Sequence, residues 1–100
     1  MQPYQVGFPN EAIQKHFEKE LSDLDRSALV RIKQAIEAFG FDPRPPGKKF
    51  KFLRPPIEVY QYAANYRLRV GDYRVLYDVD EKEKKVILLS IRRRSEKTYH

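Results

Sequence analysis

Residues 66–77, with the sequence YRLRVGDYRVLY, constrain the fold more than any other stretch of the chain. Apolar and polar residues alternate on both sides of Gly71-Asp72, a pair typical of a two-residue turn between antiparallel strands. Such a turn places Arg69 opposite Arg74. Because side chains alternate between the two faces of a sheet, one face of the predicted hairpin is apolar and packs under the rest of the chain. The residues on this apolar face are Tyr66, Leu68, Val70, Tyr73, Val75 and Tyr77.

The other face of the predicted hairpin carries Arg67, Arg69 and Arg74. Like charges that lie directly opposite each other destabilise a sheet by a few tenths to about 1 kcal/mol, so folding gains nothing from this arrangement. A phosphate gains a great deal, because converging guanidinium groups bind it through charge-assisted hydrogen bonds. The pattern therefore predicts an anion site. The alternative is an ordinary surface network in which nearby carboxylates neutralise the arginines, and the candidates for it are Asp78, Glu96 and Glu58.

Two amphipathic helices are predicted before the hairpin. The first begins at Glu11, and Asn10 is its N-cap. The second is capped by Asp23 or Asp25 and ends at Gly40. Apolar residues recur at helical spacing in both: Ile13, Phe17, Leu21 and Leu24 in the first, and Leu29, Ile32, Ile36 and Phe39 in the second.

The remaining segments predict strands and a linker. A short first strand contains Val6 and Phe8. The segment DPRPPGKK, residues 42–49, cannot be regular structure because it holds three prolines and a glycine. The later strand candidates are Phe50–Leu53, Ile57–Tyr62, Tyr66–Val70, Tyr73–Val79 and Val86–Ile91, with a polar reversal at Asp80–Lys85. Residues 1–100 are thus predicted to form one α+β domain, with a two-helix hairpin packed on an antiparallel sheet of about four strands.

Composition limits the function classes. The chain has no cysteine and two histidines, which excludes disulfides, thiolate metal sites and a cysteine nucleophile, so no metal and no cofactor are expected. No apolar run is long enough to span a membrane and the N-terminus lacks the basic-then-apolar signature of a signal peptide, so we expect a soluble cytoplasmic protein without a membrane partner. The net charge of +6 favours a polyanionic partner.

Two further basic clusters lie in the β half of the chain. The segment KKFKFLR contains Lys48, Lys49, Lys51 and Arg54. The segment IRRRSEKTYH contains Arg92, Arg93, Arg94 and Lys97, followed by Tyr99 and His100. Basic residues interleaved with aromatic ones suit RNA, since cations bind phosphates and rings stack on exposed bases.

At these segments the sequence resembles the RelE/ParE superfamily of bacterial and archaeal toxins. The matching stretches are YRLRVGDYRVLYDVD, DPRPPGKKF and the final RRRSEKTY, and the order of elements also fits. The resemblance covers nearly the whole chain and implies a RelE-like fold. It also implies a toxin of a type II toxin–antitoxin system, whose small antitoxin partner wraps the toxin with an often acidic segment. RelE-like members bind the ribosome and cut mRNA without a metal, whereas ParE-like members inhibit DNA gyrase and cut no RNA.

The resemblance also implies roles for individual residues, and it favours mRNA cleavage. The candidate catalytic residues are Arg67, Arg69, Arg74, Arg93, Arg94, Tyr99 and His100. The match at the C-terminal motif leaves one residue of ambiguity between Arg93 and Arg94. The implied contacts to RNA and the ribosome are Lys48, Lys49, Lys51, Arg54, Arg92 and Lys97. The alternatives are a non-enzymatic gyrase inhibitor, an inactive toxin homologue and a plain nucleic-acid-binding domain.

The general base for cleavage is not among the arginines. Some RelE-like members have lysine at the positions of Arg67 and Arg69, but an arginine whose pKa exceeds about 12 cannot accept the proton. His100 is the first candidate because its reference pKa is near 6.5, and Glu96 or a lysine of the segment 48–51 comes next. His16 is interpreted as a histidine on a helix surface. In a further alternative the ribosome orients the mRNA and the protein acts mainly through electrostatics.

Overall fold

Two helices pack on one five-stranded sheet in the computed structural model, which describes residues 3–93. The elements are β1 (Gln5–Gly7), α1 (Glu11–Ser22), α2 (Arg26–Phe39), β2 (Phe50–Val59), β3 (Tyr62–Val70), β4 (Tyr73–Asp80) and β5 (Lys85–Arg93). The strand order is β1-β5-β4-β3-β2, in which β1 pairs with β5 in parallel and all other pairs are antiparallel. The predicted α+β class is confirmed, but the sheet is mixed because β1 joins it.

The strands differ from the prediction mainly at β2 and β3. Phe50–Leu53 and Ile57–Tyr62 were expected to be separate strands, but the first and half of the second belong to β2, and β3 begins at Tyr62. The pairing of β2 with β3 is irregular between Phe52 and Ile57, where two prolines lie. Because β2 is an edge strand, a proline there need not break a ladder on both sides. The predicted reversal between β4 and β5 is confirmed.

Both helices begin at capping residues that the sequence predicts. The Ile13 amide donates to Asn10 Oδ1 at 2.9 Å, and the Ala28 amide donates to Asp25 Oδ1 at 2.8 Å. Asp25 is therefore the cap of α2, and Leu24 lies between the helices rather than in the first one. Gly40 ends α2 as predicted, with a φ of −62°, so its backbone is right-handed. No helix in residues 3–93 is long and apolar enough to cross a membrane.

The main core lies between the helices and one face of the sheet. Tyr77 is completely buried at its centre, and its ring lies 4.2 Å from that of Phe39 on α2, centroid to centroid. The buried residues of this core are Phe17, Ile32, Phe39, Val75, Tyr77, Val86, Leu88 and Ile91. All six residues predicted for the apolar face of the hairpin are in this core or pack against it.

A second core shows that the sheet is strongly curved. It joins Val59 of β2 and Ala64 of β3 to Leu76, Leu89 and Ile13 of α1. In a flat sheet β2 and β5 would be about 14 Å apart, since neighbouring strands are about 4.8 Å apart. The tip of the β2–β3 hairpin nevertheless contacts α1, where Asn10 donates to the Tyr62 hydroxyl at 2.8 Å. This curvature closes one end of the sheet around the second core.

The Tyr77 hydroxyl also anchors the proline-rich segment. It donates to the Pro43 carbonyl at 2.6 Å in a buried position. Burial raises the pKa of Tyr77 above that of an ordinary phenol. The segment 42–49 therefore follows α2 along a fixed path, although it contains no regular structure.

We predict that Tyr77→Phe destabilises the protein by about 1–2 kcal/mol, because the buried Pro43 carbonyl loses the Tyr77 hydroxyl as a donor while the ring is kept. Urea unfolding at pH 7 measures the change. Tyr60→Phe is the matched control, since Tyr60 is exposed. An equal loss of stability in both variants would contradict the role assigned to this bond.

The difference in stability between wild type and Tyr77→Phe should depend on pH. The raised pKa of Tyr77 means that its contribution is complete below about pH 10, where the unfolded phenol ionises. Above that pH the unfolded state alone loses the proton, so wild type is destabilised and Tyr77→Phe is not. The difference in unfolding free energy between them should therefore shrink as the pH rises above 10.

Candidate nucleic-acid interface

Three arginines lie side by side across the middle of the sheet. Arg69 of β3 pairs with Arg74 of β4, which pairs with Arg92 of β5. Paired residues in adjacent antiparallel strands have their Cα atoms about 4.5–5.5 Å apart and project to the same face. We call Arg69, Arg74 and Arg92 the arginine row. The row lies on the face opposite the main core, because its neighbours along the strands face that core.

The turn at Gly71-Asp72 fixes one side of the row. Val70 pairs with Tyr73 and Arg69 with Arg74, as the sequence predicts. Gly71 has a φ of +61°, a conformation that favours glycine at the first central position of such a turn. A Cβ at Gly71 would lie 3.3 Å from Arg31 Nη1, but that is the flexible end of an exposed side chain, so the backbone conformation is the main constraint.

Arg67 lies one pleat further along the same face. It pairs with Leu76 on one side and with Lys51 on the other. Its Nη1 donates to the Lys49 carbonyl at 2.9 Å, and the Arg69 amide donates to that same carbonyl at 2.9 Å. The predicted arginines of the hairpin are therefore brought together with Lys51, and the end of the proline-rich segment is bonded to them.

An extra residue in β5 decides which C-terminal arginine joins the row. Tyr77 pairs with Leu88 and Leu76 pairs with Ser90, so Leu89 has no partner on β4. This bulge moves the later residues of β5 by one position. As a result Ile91 faces the core and Arg92 lies beside Arg74.

Arg93 lies on the opposite face from the row. It pairs with Tyr73, and its guanidinium carbon is 5.9 Å from the centroid of the Tyr73 ring. The resemblance pointed to Arg93 or Arg94 for the C-terminal arginine, and the structure brings Arg92 to Arg74 instead of Arg93. A sequence reading that assumes strict alternation along β5 misses the change of face. The sequence shows the bulge only through the spacing of two core residues, Leu88 and Ile91.

The charges of the row are not neutralised within residues 3–93. The ion pairs found there are Lys19–Asp23, Arg44–Glu81 and Lys84–Glu81, and none includes the row. Of the carboxylates proposed as neutralising groups, Asp78 accepts from Asn65 Nδ2 at 3.0 Å. Glu58 is exposed and forms no ion pair in the described part of the chain, and Glu96 lies outside it. Arg74 Nε is buried without a hydrogen-bond partner in the same part.

The other basic residues that were predicted to bind RNA lie in different places. Lys48 and Lys49 are exposed at the end of the proline-rich segment. Arg54 is separated from the arginine face, because its guanidinium carbon lies 4.6 Å from the Phe52 ring centroid and Phe52 pairs with Tyr66 of the core face. Arg94, Glu96, Lys97, Tyr99 and His100 lie outside the described residues.

An ion-pair cluster holds the other end of the proline-rich segment, and the sequence analysis missed it. Arg44 donates to Glu81 at 2.6 Å and lies over the Tyr66 ring. The Tyr4 hydroxyl donates to Glu81 at 2.7 Å, and Lys84 donates to it at 2.9 Å. The bonds from Lys84, Arg44 and Tyr4 lower the pKa of Glu81 to about 2. Sequence separation hides such a cluster, since Tyr4, Arg44 and Glu81 are far apart along the chain.

His16 is the one histidine of residues 3–93. His16 is exposed on α1, as interpreted from the sequence, and its ring stacks on Tyr60 at 5.0 Å. Within residues 3–93 no group of three or more His, Cys, Asp or Glu residues is arranged to hold a metal ion. The chemistry of the arginine face is therefore that of guanidinium groups and lysines.

Comparison with known proteins identifies the family. The model of the ParE toxin of the type II toxin-antitoxin system, parDE, matches residues 11–98. A protein of Methanocaldococcus jannaschii assigned as toxin RelE1 is 36% identical over 86 residues, which cover 85% of this chain and 89% of that protein. The chain belongs to the RelE/ParE superfamily of type II toxins.

Solved structures of RelE toxins have the same fold. The archaeal RelE–RelB complex from Pyrococcus horikoshii matches with a TM-score of 0.71 at 26% identity, over 94% of this chain and 98% of that one. The toxin–antitoxin complex RelBE2 from Mycobacterium tuberculosis matches with a TM-score of 0.53 at 28% identity, over 96% and 97% of the two chains. A mutant of Escherichia coli RelE in the free state, at 23% identity and a TM-score of 0.57, shows the fold alone. The predicted superfamily and the RelE-like fold are confirmed.

We predict that Arg69→Gln stabilises the protein by about 0.5 kcal/mol at low ionic strength, because it removes the repulsion from the paired Arg74. Urea unfolding in dilute buffer measures the change, and added salt should reduce it by screening. Lys82→Gln, in the exposed turn between β4 and β5, controls for the loss of one positive charge. Destabilisation by Arg69→Gln would show that repulsion between Arg69 and Arg74 does not lower the stability of the folded protein.

We also predict that Glu81→Gln lowers stability at neutral pH and that the loss becomes smaller in acid. The lowered pKa of Glu81 means that its contribution is complete above 4.5, the ordinary value, and is lost as the pH falls towards 2. Thermal unfolding at pH 7 and at pH 3 measures this. Glu83→Gln, whose side chain forms no ion pair in the described residues, is the control. A loss that persists unchanged at low pH would contradict the account.

Proposed function

We propose that this chain is a ribosome-dependent endoribonuclease that cleaves mRNA without a metal. The observation that carries the proposal is the arginine row: three guanidinium groups lie adjacent on one face with no carboxylate paired to them in residues 3–93. A phosphodiester fits this arrangement because guanidinium groups bind phosphate oxygens in pairs. Arg74 is at the centre of the row, and its Nε is buried.

The reaction is transfer of a phosphoryl group within the RNA. The ribose 2′-oxygen attacks the adjacent 3′-phosphorus, the 2′-proton passes to a base, and the bond to the 5′-oxygen breaks as that oxygen gains a proton. The products are a 2′,3′-cyclic phosphate and a free 5′-hydroxyl. Negative charge on the phosphate oxygens increases in the transition state, so fixed positive charge accelerates the step. Arg74 and Arg92 would stabilise this charge, while Arg67 and Arg69 orient the backbone.

The proton transfers require groups other than arginine. The guanidinium pKa is too high for it to act as a base at neutral pH. His100 is the proposed proton carrier and Tyr99 the proposed stacking partner of a base, and both lie outside the described residues. Lys48, Lys49 and Lys51 are exposed and would bind ribosomal RNA, a contribution that weakens with salt.

The same surface would also explain an antitoxin partner. The structural relatives from Pyrococcus horikoshii and Mycobacterium tuberculosis are toxin–antitoxin complexes. A partner with an acidic segment would neutralise the arginine row and prevent RNA from reaching it, which switches the toxin off by direct competition.

A second function has one observation in its favour. The family model that matches is named for ParE, and the resemblance gives ParE-like members gyrase inhibition. In that case the arginine row would contact acidic residues of the gyrase rather than phosphates. The chain would then inhibit DNA supercoiling and leave RNA intact.

We predict that wild type cuts a defined mRNA only when ribosomes are present, and that Arg74→Ala lowers the cleavage rate by about a hundredfold, because one charge-stabilising donor is lost. Primer extension on a purified translation reaction maps and quantifies the cuts. Arg26→Ala is the matched control, since Arg26 is exposed at the start of α2.

The outcome that contradicts the endonuclease is an intact message with wild-type protein. A supercoiling assay on the same preparations then tests the second function. Inhibition of gyrase by wild type would support it.

A further inference from the structure

The carboxylate of Glu20 on α1 is bonded to β5 at the bulge that brings Arg92 into the arginine row. One oxygen accepts from the Ile91 amide at 2.9 Å, and the other accepts from the Ser90 hydroxyl at 3.0 Å. Neither residue is exposed, since Ser90 is 3% and Ile91 5% accessible. Glu20 takes part in none of the ion pairs of residues 3–93. Its carboxylate is instead bonded to β5.

The need for this carboxylate follows from the sheet topology. β1 is short and pairs with β5 only along residues 85–87, so within residues 3–93 no strand lies beside the later part of that edge. α1 packs along β5 instead, and a helix cannot satisfy strand amides with its own backbone. A buried amide without a partner is costly, so the edge needs a side-chain acceptor at Ile91. Glu20 supplies it.

The bulge and the arginine row depend on the same residues. With the extra residue Leu89, Ile91 pairs with Val75 and Arg92 pairs with Arg74. Without a bulge, each later residue of β5 would move by one position, which would place Ile91 opposite Arg74 and Arg92 opposite Tyr73 on the core side. The position of Arg92 is therefore set at Ser90 and Ile91, where Glu20 binds.

We propose that Glu20 is a positioning residue for the arginine row: by holding the Ser90–Ile91 end of the bulge, it keeps Arg92 beside Arg74. It does not touch the bound phosphate and acts through the backbone of β5. The proposal rests on the proposed function for its effect on RNA, but the positioning itself is a statement about the register of two strands. It also couples α1, on one side of the sheet, to the face that binds RNA.

The test compares two isosteric variants with a control on the same helix. Glu20→Met keeps the volume and removes both acceptors, whereas Glu20→Gln keeps one carbonyl oxygen for the Ile91 amide. Glu18→Gln removes the same charge from an exposed position, where the carboxylate accepts from Gln14 on the same helix. Ser90→Ala removes the hydroxyl bond alone and provides a milder variant if Glu20→Met does not fold.

Three quantities are measured for each folded variant. The first is the cross-strand nuclear Overhauser effect between the Hα protons of Val75 and Ile91, a pair that exists only when Arg92 lies beside Arg74. The second, measured together with it, is hydrogen exchange at the Ile91 amide. The third is the affinity for a 2′-O-methylated single-stranded RNA oligonucleotide, which binds but cannot be cut. We expect Glu20→Met to weaken the cross-strand signal, to speed Ile91 exchange and to lower RNA affinity about tenfold, the loss of one charge-assisted contact. Glu20→Gln should stay within about twofold of wild type, and Glu18→Gln should match wild type.

The measurements separate this inference from the proposed function. If Arg74→Ala weakens RNA binding but Glu20→Met leaves both the cross-strand signal and the affinity unchanged, the positioning role is overturned and the RNA-binding face stands. If no protein binds the RNA, the proposed binding of RNA phosphate by the arginine row fails. The cross-strand signal then decides alone: its loss in Glu20→Met supports positioning, and its retention overturns it.

Discussion

The arginine row depends on the pairing register of β3, β4 and β5, and that register is held by apolar side chains on the opposite face of the sheet. Val75 and Tyr77 are completely buried against the helices, with Leu88 and Ile91 beside them. A shift of one residue in any of the three strands would expose these side chains and bury arginines. The core therefore fixes the positions of the charges, although it makes no contact with what they bind.

This register destabilises the folded protein through repulsion between like charges. Arg69, Arg74 and Arg92 repel one another across neighbouring strands, and no carboxylate of the described chain pairs with them. Elsewhere the same protein pairs its charges closely, as the contacts of Glu81 with Arg44 and Lys84 show. The absence of such pairing at the row is what a preorganised anion site requires, because a guanidinium already bonded to a carboxylate is less available to a phosphate.

Much of this could be predicted from the sequence, because the informative patterns are local. The turn at Gly71-Asp72, the pairing of Arg69 with Arg74 and the caps Asn10 and Asp25 each follow from residues close together in the chain. The bulge could have been suspected from Leu88 and Ile91, two core residues three positions apart in a strand, but its consequence for Arg92 requires the partner strand. Glu20 could not be found, since its role depends on where α1 crosses the edge of β5.

The central claim is that the arginine row, and not positive charge in general, binds the RNA phosphate. The most direct test is a titration of the labelled protein with a 2′-O-methylated RNA dinucleotide, followed through the Nε–Hε resonances of the arginine side chains. We expect the resonances of Arg69, Arg74 and Arg92 to shift together with one affinity, while Arg93, which lies on Tyr73 on the opposite face, is unaffected. Shifts at Arg93 without shifts in the row, or equal small shifts at all arginines, would contradict the account.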